Sequence, residues 1–168
     1  PLCLWLVGPS GRGKTTAGTL AQCFFGRFER TSDGVSCGST AGSIEITAHE
    51  FRGALLHIDD AKGSAISPGD KPKLLGAFQR LHDRTARGRL NSNSTAQRNR
   101  GGRATILVSG EDTLFDEASI RGRYLDIEVE HPQAERTREA LEEIRAVRPL
   151  LSGVSHALVG HLLAEPGW

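Results

Sequence analysis

An apolar run, "LCLWLV" from Leu2 to Val7, stops at a glycine, and "GPSGRGKTT" follows from Gly8 to Thr16. No other stretch limits the fold as strongly. A short buried strand ends at Gly8 and Pro9, and a helical pattern runs from Thr15 to Phe25, with Ala17, Leu20, Ala21 and Phe24 on one face. Gly8 to Thr15 matches the spacing G-x-x-x-x-G-K-[ST] in the strand-to-helix setting that gives it meaning. Gly8, Gly11 and Gly13 let the backbone wrap phosphate oxygens where a Cβ would clash. Loop amides and the helix N-terminus supply positive potential. Lys14 has the reach for β- and γ-phosphates, and Thr15 offers Mg²⁺ a hydroxyl. Gly8, Pro9, Ser10, Gly11, Arg12, Gly13, Lys14, Thr15 and Thr16 are thus expected to hold a nucleoside triphosphate, ATP first. The bland alternative is a glycine-rich turn that binds nothing.

About 40 residues on, "ALLHIDD" from Ala54 to Asp60 reads as an apolar strand ending in two carboxylates beside the first strand. Asp59 is expected to help hold Mg²⁺, and Asp60 to orient and polarise the attacking water. The second acid of such ATPases is often Glu, and Asp is one methylene shorter. "ATILVS", Ala104 to Ser109, is a third buried strand, and Ser109 at its end is expected either to sit between the two motifs and touch a γ-phosphate or the water, or simply to close the strand in a turn. Arg121 and Arg123 lie in "SIRGRYLDIEV". An arginine there can stabilise a transferring phosphoryl group in a neighbouring subunit, or simply pair with a nearby acid.

Net charge is +1, but from Arg84 to Arg103 there are six arginines and no acid. Arginine forks onto phosphates, so Arg87, Arg89, Arg98 and Arg100 are candidates for DNA or RNA contact, as a polar hairpin or a loop. The segment has no aromatic residue, so base stacking is not indicated. The stretch from Asp126 to Arg145 is the opposite, with seven acids against three arginines.

Between these motifs, Arg30 to Thr40 is expected as loop or short strand, Ser43 to Arg52 as a helix capped by Ser43, Lys62 to Pro72 as loop, and Lys73 to Arg84 as a helix burying Leu74, Leu75, Phe78 and Leu81. Tyr124 to Val129 alternates like a strand, and Gln133 to Val147 and Leu150 to Ala164 are expected as helices. Strands alternating with helices, the strands largely continuous apolar runs, predict an α/β fold: a mostly parallel sheet with helices on both faces.

The 168 residues suit one domain, here a core over 1–130 and a helical segment over 131–168. A chain without methionine that begins at Pro1 is expected to be part of a longer protein. Three cysteines without a C-x-x-C pair point to thiols in a reducing cytoplasm rather than to a disulfide framework or zinc site. No apolar run approaches the roughly 20 residues of a membrane span, and no secretory leader is recognisable.

The order of these motifs resembles the AAA+ P-loop ATPase core of hexameric replicative helicases, nearest to the helicase domain of phage, plasmid and mobile-element primases. "GSTAGSIE", "LLHIDD", "ILVSGED" and "SIRGRYLDI" carry the likeness, over Leu2 to Val129. The resemblance implies ATP and Mg²⁺ at Lys14 and Thr15, and Asp59 and Asp60 as the acidic pair. It implies Ser109 at a sensor position where many relatives have Asn or Thr, and Arg123, with Arg121 second, as the finger acting in trans. The basic segment would be the hairpin that grips single-stranded DNA in the channel of a hexamer, and the C-terminal helices a short lid. Arg145 and Arg148 are candidates for a second sensor. The expected function is an ATP-driven DNA helicase or translocase motor. Its rivals are a P-loop kinase for a nucleotide or metabolite, and an ATP switch on DNA that does not unwind.

Overall fold

The computed structural model describes residues 2–28, 34–88, 101–115, 117–129 and 134–164. The strands are β1 (Cys3–Val7), β2 (Val35–Ser36), β3 (Leu55–Ala61), β4 (Thr105–Gly110) and β5 (Leu125–Glu128). They form one sheet in the order β2–β3–β4–β1–β5, each neighbouring pair parallel. Parallel neighbours need crossovers, and the helices supply them: α1 (Lys14–Cys23), α2 (Ala41–Glu50), α3 (Lys71–Asp83) and α4 (Ala118–Arg121). Two further helices, α5 (Ala134–Val147) and α6 (Leu151–Ala164), follow the sheet.

The strands are buried on both faces because their apolar runs alternate between two clusters. Trp5, Leu56, Ile58, Ile106 and Val108 point to one face and pack with Ile44 of α2 and Leu74, Phe78 and Leu81 of α3. Trp5, Phe78 and Tyr124 sit with ring centroids 5.6 to 5.8 Å apart, and the Tyr124 hydroxyl donates to the Phe78 carbonyl. Each such side chain contributes roughly 1.5–3 kcal/mol by leaving water. The other face holds a smaller apolar set, Leu6, Leu55 and Leu107, with Ala21 of α1 against it. The expected α/β sheet with helices on both faces is therefore what the chain forms.

Five local expectations change. The buried side of α1 is Lys14, Gly18, Thr19, Gln22 and Cys23, whereas Ala17 and Phe24 are exposed. The helix lies over a partly polar stretch of sheet, and Gln22 donates to the Leu55 carbonyl there. The cap of α2 is Thr40, whose hydroxyl accepts from the Ser43 amide at 3.2 Å, so Ser43 sits inside the first turn. β3 continues through Asp59 and Asp60 instead of ending before them. β4 separates β3 from β1, so the acidic strand is one place removed from the strand it was expected to flank. β5 is an edge strand exposed on both faces, so its alternation marks no buried side.

Cys3, Cys23 and Cys37 are buried free thiols. Burial pushes the Cys3 thiol up to about 11 and the Cys37 thiol up to about 12. Among the described residues, no helix is long and apolar enough to cross a membrane.

Candidate nucleotide site

In a parallel sheet the ends of neighbouring strands fall together, and the loops leaving them share one edge. β1, β4 and β3 end side by side, and their exits line a cleft of about 340 Å³. Its wall contains Ser10 to Thr16, Asp59, Asp60, Lys62, Ser109 and Glu111.

The loop after β1 takes its shape from glycine. Gly11 and Gly13 have φ of 77° and 78°, and Gly13 caps α1 in that left-handed conformation. Gly8 is needed for a different reason: a Cβ there would lie 2.7 Å from the Val129 carbonyl oxygen. Lys14 is buried, and its ammonium donates to the carbonyls of Gly8 and Pro9 at 2.6 and 2.7 Å. The cation is thus held across the loop with its charge facing the cleft that Gly11 and Gly13 open.

Thr15 and Asp59 meet although 44 positions separate them: the Thr15 hydroxyl donates to Asp59 Oδ1 at 3.0 Å. Ser109 donates to the same oxygen from β4. Behind Ser109 lies a residue that the sequence reading passed over. His57 Nε2 is 2.7 Å from Ser109 Oγ and 4.0 Å from Asp59 Oδ1. His57 is buried, and desolvation lowers its pKa against the opposing pull of Asp59, which favours the neutral ring. The only signal in the sequence was a histidine two places before Asp59 in an otherwise apolar strand.

Asp60 enters the cleft through a backbone irregularity. Consecutive strand residues point to opposite faces. β3 has a register shift between Ile58 and Ala61, and Asp60 has φ of 61°. A non-glycine residue in that region costs of the order of 1–3 kcal/mol. The result is that both carboxylates line one cleft. Lys62 lies 4.0 Å from Asp60 and 2.9 Å from Glu111, and Glu111 raises its pKa.

The donor set fits the expected metal. Thr15 hydroxyl and Asp59 carboxylate are hard oxygen ligands that suit Mg²⁺ and its retained waters. The loop, with a buried cation and glycines that give it its left-handed turns, fits a polyphosphate.

Other candidates lie elsewhere. Arg123 precedes β5, at the end of the sheet opposite the cleft. Its guanidinium donates to both oxygens of Asp83, at 3.1 and 3.3 Å, and to the Ser119 carbonyl. Arg121 is at the end of α4. Arg148 donates to the Phe28 carbonyl at 2.9 and 2.6 Å, and with Arg145, Arg27 and Cys23 it lines a separate cleft beyond the C-terminal end of α1. Neither Arg145 nor Arg148 joins the loop at the start of that helix. Arg87 is exposed on a larger cleft of about 570 Å³, with Thr40, Glu45, Lys73 and Arg80. Arg89, Arg98 and Arg100, and the hairpin expected around them, lie outside the described residues.

Against solved structures, the fold of this chain is similar to that of JCV helicase. A crystal structure of JCV helicase bound to a thiazolopyridine phenoxyphenyl acetamide matches with a TM-score of 0.50 at 17% identity, over 98% of this chain and 46% of that one. A second inhibitor-bound JCV helicase structure gives a TM-score of 0.46 at 16% identity, over 92% and 42%. The chain thus spans less than half the length of the helicase chains it matches. The likeness is one of fold: a mostly parallel helicase-like α/β sheet. No family model and no curated protein matches the chain.

Proposed function

We propose that the chain is the ATPase core of a ring-forming DNA helicase or translocase of the AAA+ P-loop type, related to the helicase part of mobile-element primases and working in the cytoplasm. One observation carries this reading: Lys14, Thr15, Asp59, Asp60 and Ser109 come from three separate parts of the chain and converge on one cleft. The strand order, with β4 between β3 and β1, agrees with it. In this reading Lys14 and the loop amides bind the phosphates of ATP. Mg²⁺, held by Thr15 and Asp59, neutralises phosphate oxygens when bound. Asp60 orients and polarises the water, and Ser109 stands beside it. Arg123 faces away from its own cleft, which suits action on the ATP of a neighbouring subunit in a hexamer. Arg87, Arg89, Arg98 and Arg100 take the phosphates of single-stranded DNA.

A second reading, an ATP-gated switch on DNA with slow turnover, draws on Asp60, whose side chain is 62% exposed and shares Lys62 with Glu111. The deciding experiment is ATP hydrolysis against single-stranded DNA at low salt. The motor reading expects stimulation by DNA, a loss of at least about 100-fold in Lys14→Ala, and weaker stimulation in Arg98→Ala/Arg100→Ala. Turnover that ignores DNA in every variant overturns it and favours a kinase. DNA binding with slow, unstimulated turnover favours the switch.

A further inference from the structure

The cleft rests on a polar layer that the proposed roles leave unexplained. His57, Ser109 and Asp59 all lie on the face of the sheet that α1 covers. Ser109 has a single proton and gives it to Asp59. A carboxylate only accepts, so the contact between His57 and Ser109 has one consistent polarity: Nε2–H donates and Oγ accepts. Thr15 donates to the same carboxylate oxygen. The hydrogen bonds therefore run from His57 to Ser109 to Asp59, whose carboxylate lines the cleft.

The imidazole has little freedom to leave this chain. A Cβ built on Gly18 would lie 2.3 Å from His57 Nε2, 2.4 Å from Cε1 and 2.6 Å from Cδ2. The ring thus lies directly against the backbone of α1, four residues after Lys14, and any side chain at that position would displace it. Glycine costs about 1 kcal/mol relative to Ala inside a helix. Here it makes room for one ring.

We propose that His57 is a positioning residue for the divalent-cation site: clamped by α1 at Gly18, it fixes the Ser109 hydroxyl, which fixes the Asp59 carboxylate. This rests on reading the cleft as a Mg²⁺–nucleotide site. His57 touches neither nucleotide nor cation; it acts through Ser109.

The test uses two polar variants of similar size. In His57→Gln the side-chain amide nitrogen falls near the Nε2 position, whereas in His57→Asn it stops one bond short. Binding of a fluorescent, non-hydrolysable ATP analogue is measured in EDTA and then across a Mg²⁺ titration, with thermal melting of each protein. The expected result is equal binding in EDTA. The Mg²⁺ concentration for half-saturation rises about tenfold or more in His57→Asn and stays within about threefold in His57→Gln. A merely structural histidine would lower both melting temperatures and leave the Mg²⁺ requirement alone; that result, or equal rises in both variants, overturns the proposal. Should His57→Asn fail to fold, Ser109→Ala breaks the same chain one bond later, and an unchanged Mg²⁺ requirement there overturns it as well. Wild-type protein that binds the analogue without any Mg²⁺ dependence removes the reading of the cleft itself, a failure distinct from one confined to the variants.

Discussion

The sheet and the last helix, α6, are both rich in apolar residues, yet they treat them in opposite ways. Every buried apolar side chain among the described residues lies between Cys3 and Tyr124. From Glu139 to Ala164 no described residue is buried. α6, "LSGVSHALVGHLLA", contains no Asp, Glu, Lys or Arg, and still Val154, Leu158, Val159 and Leu163 are 53 to 80% exposed. Apolar sequence is therefore not the same as burial. A residue is buried when a second layer covers it, and the sheet has helices to serve as that layer. α6 lies outside that arrangement, and its hydrophobic stabilisation within this chain is correspondingly small.

Three substitutions probe this contrast, in order of expected effect. Phe78→Ala removes the ring shared by Trp5, Phe115 and Tyr124. It should cost about 3–5 kcal/mol in denaturant unfolding; a loss under about 1 kcal/mol would break the contrast from the core side. Asp83→Asn tests the core's surface. The Asp83 carboxyl is held below its usual range, first by hydrogen bonds from Arg123 and then by His82. A depressed folded-state pKa gives stability that is present above the ordinary carboxylate range and lost as pH falls through the folded value. The pair is partly exposed, so the cost near pH 7 should stay below about 1 kcal/mol. Melting curves of the two proteins should converge only as pH falls below the ordinary carboxylate range, because the folded-state carboxyl holds its charge further into acid. Leu163→Ala, in α6, should change stability by no more than about 0.5 kcal/mol. A cost near that of Phe78→Ala would mean that the helix is covered after all.

The same distinction explains what could be read from sequence. The loop from Gly8 to Thr15 is a local object: its spacing, its glycines and its place between a strand and a helix are all set by neighbours in the chain. The strands that carry Asp59 and Ser109 were legible as apolar runs. The buried side of α1 was not, because Thr19 and Gln22 turn inward toward a partly polar sheet face that no helical periodicity encodes. The cap at Thr40 was missed because Ser39, Thr40 and Ser43 are all cap formers, and only backbone conformation selects among them. His57 was missed for a related reason: its partners Ser109 and Gly18 are 52 positions ahead and 39 behind. Asp60 was expected in the cleft, but the left-handed residue that turns it there has no signature in "HIDDAKG".

β5 has a consequence for how copies of the molecule can meet. An edge strand offers unpaired amides and carbonyls to any passing strand. The outer strand of this sheet is only four residues long, with Asp126 and Glu128 exposed on it, and the opposite edge, β2, is two residues long. Two β5 strands laid side by side would bring carboxylates against carboxylates, and two β2 strands would gain almost no ladder. Like-edge pairing is therefore disfavoured at both ends of the sheet, by repulsion between carboxylates at β5 and by the shortness of β2.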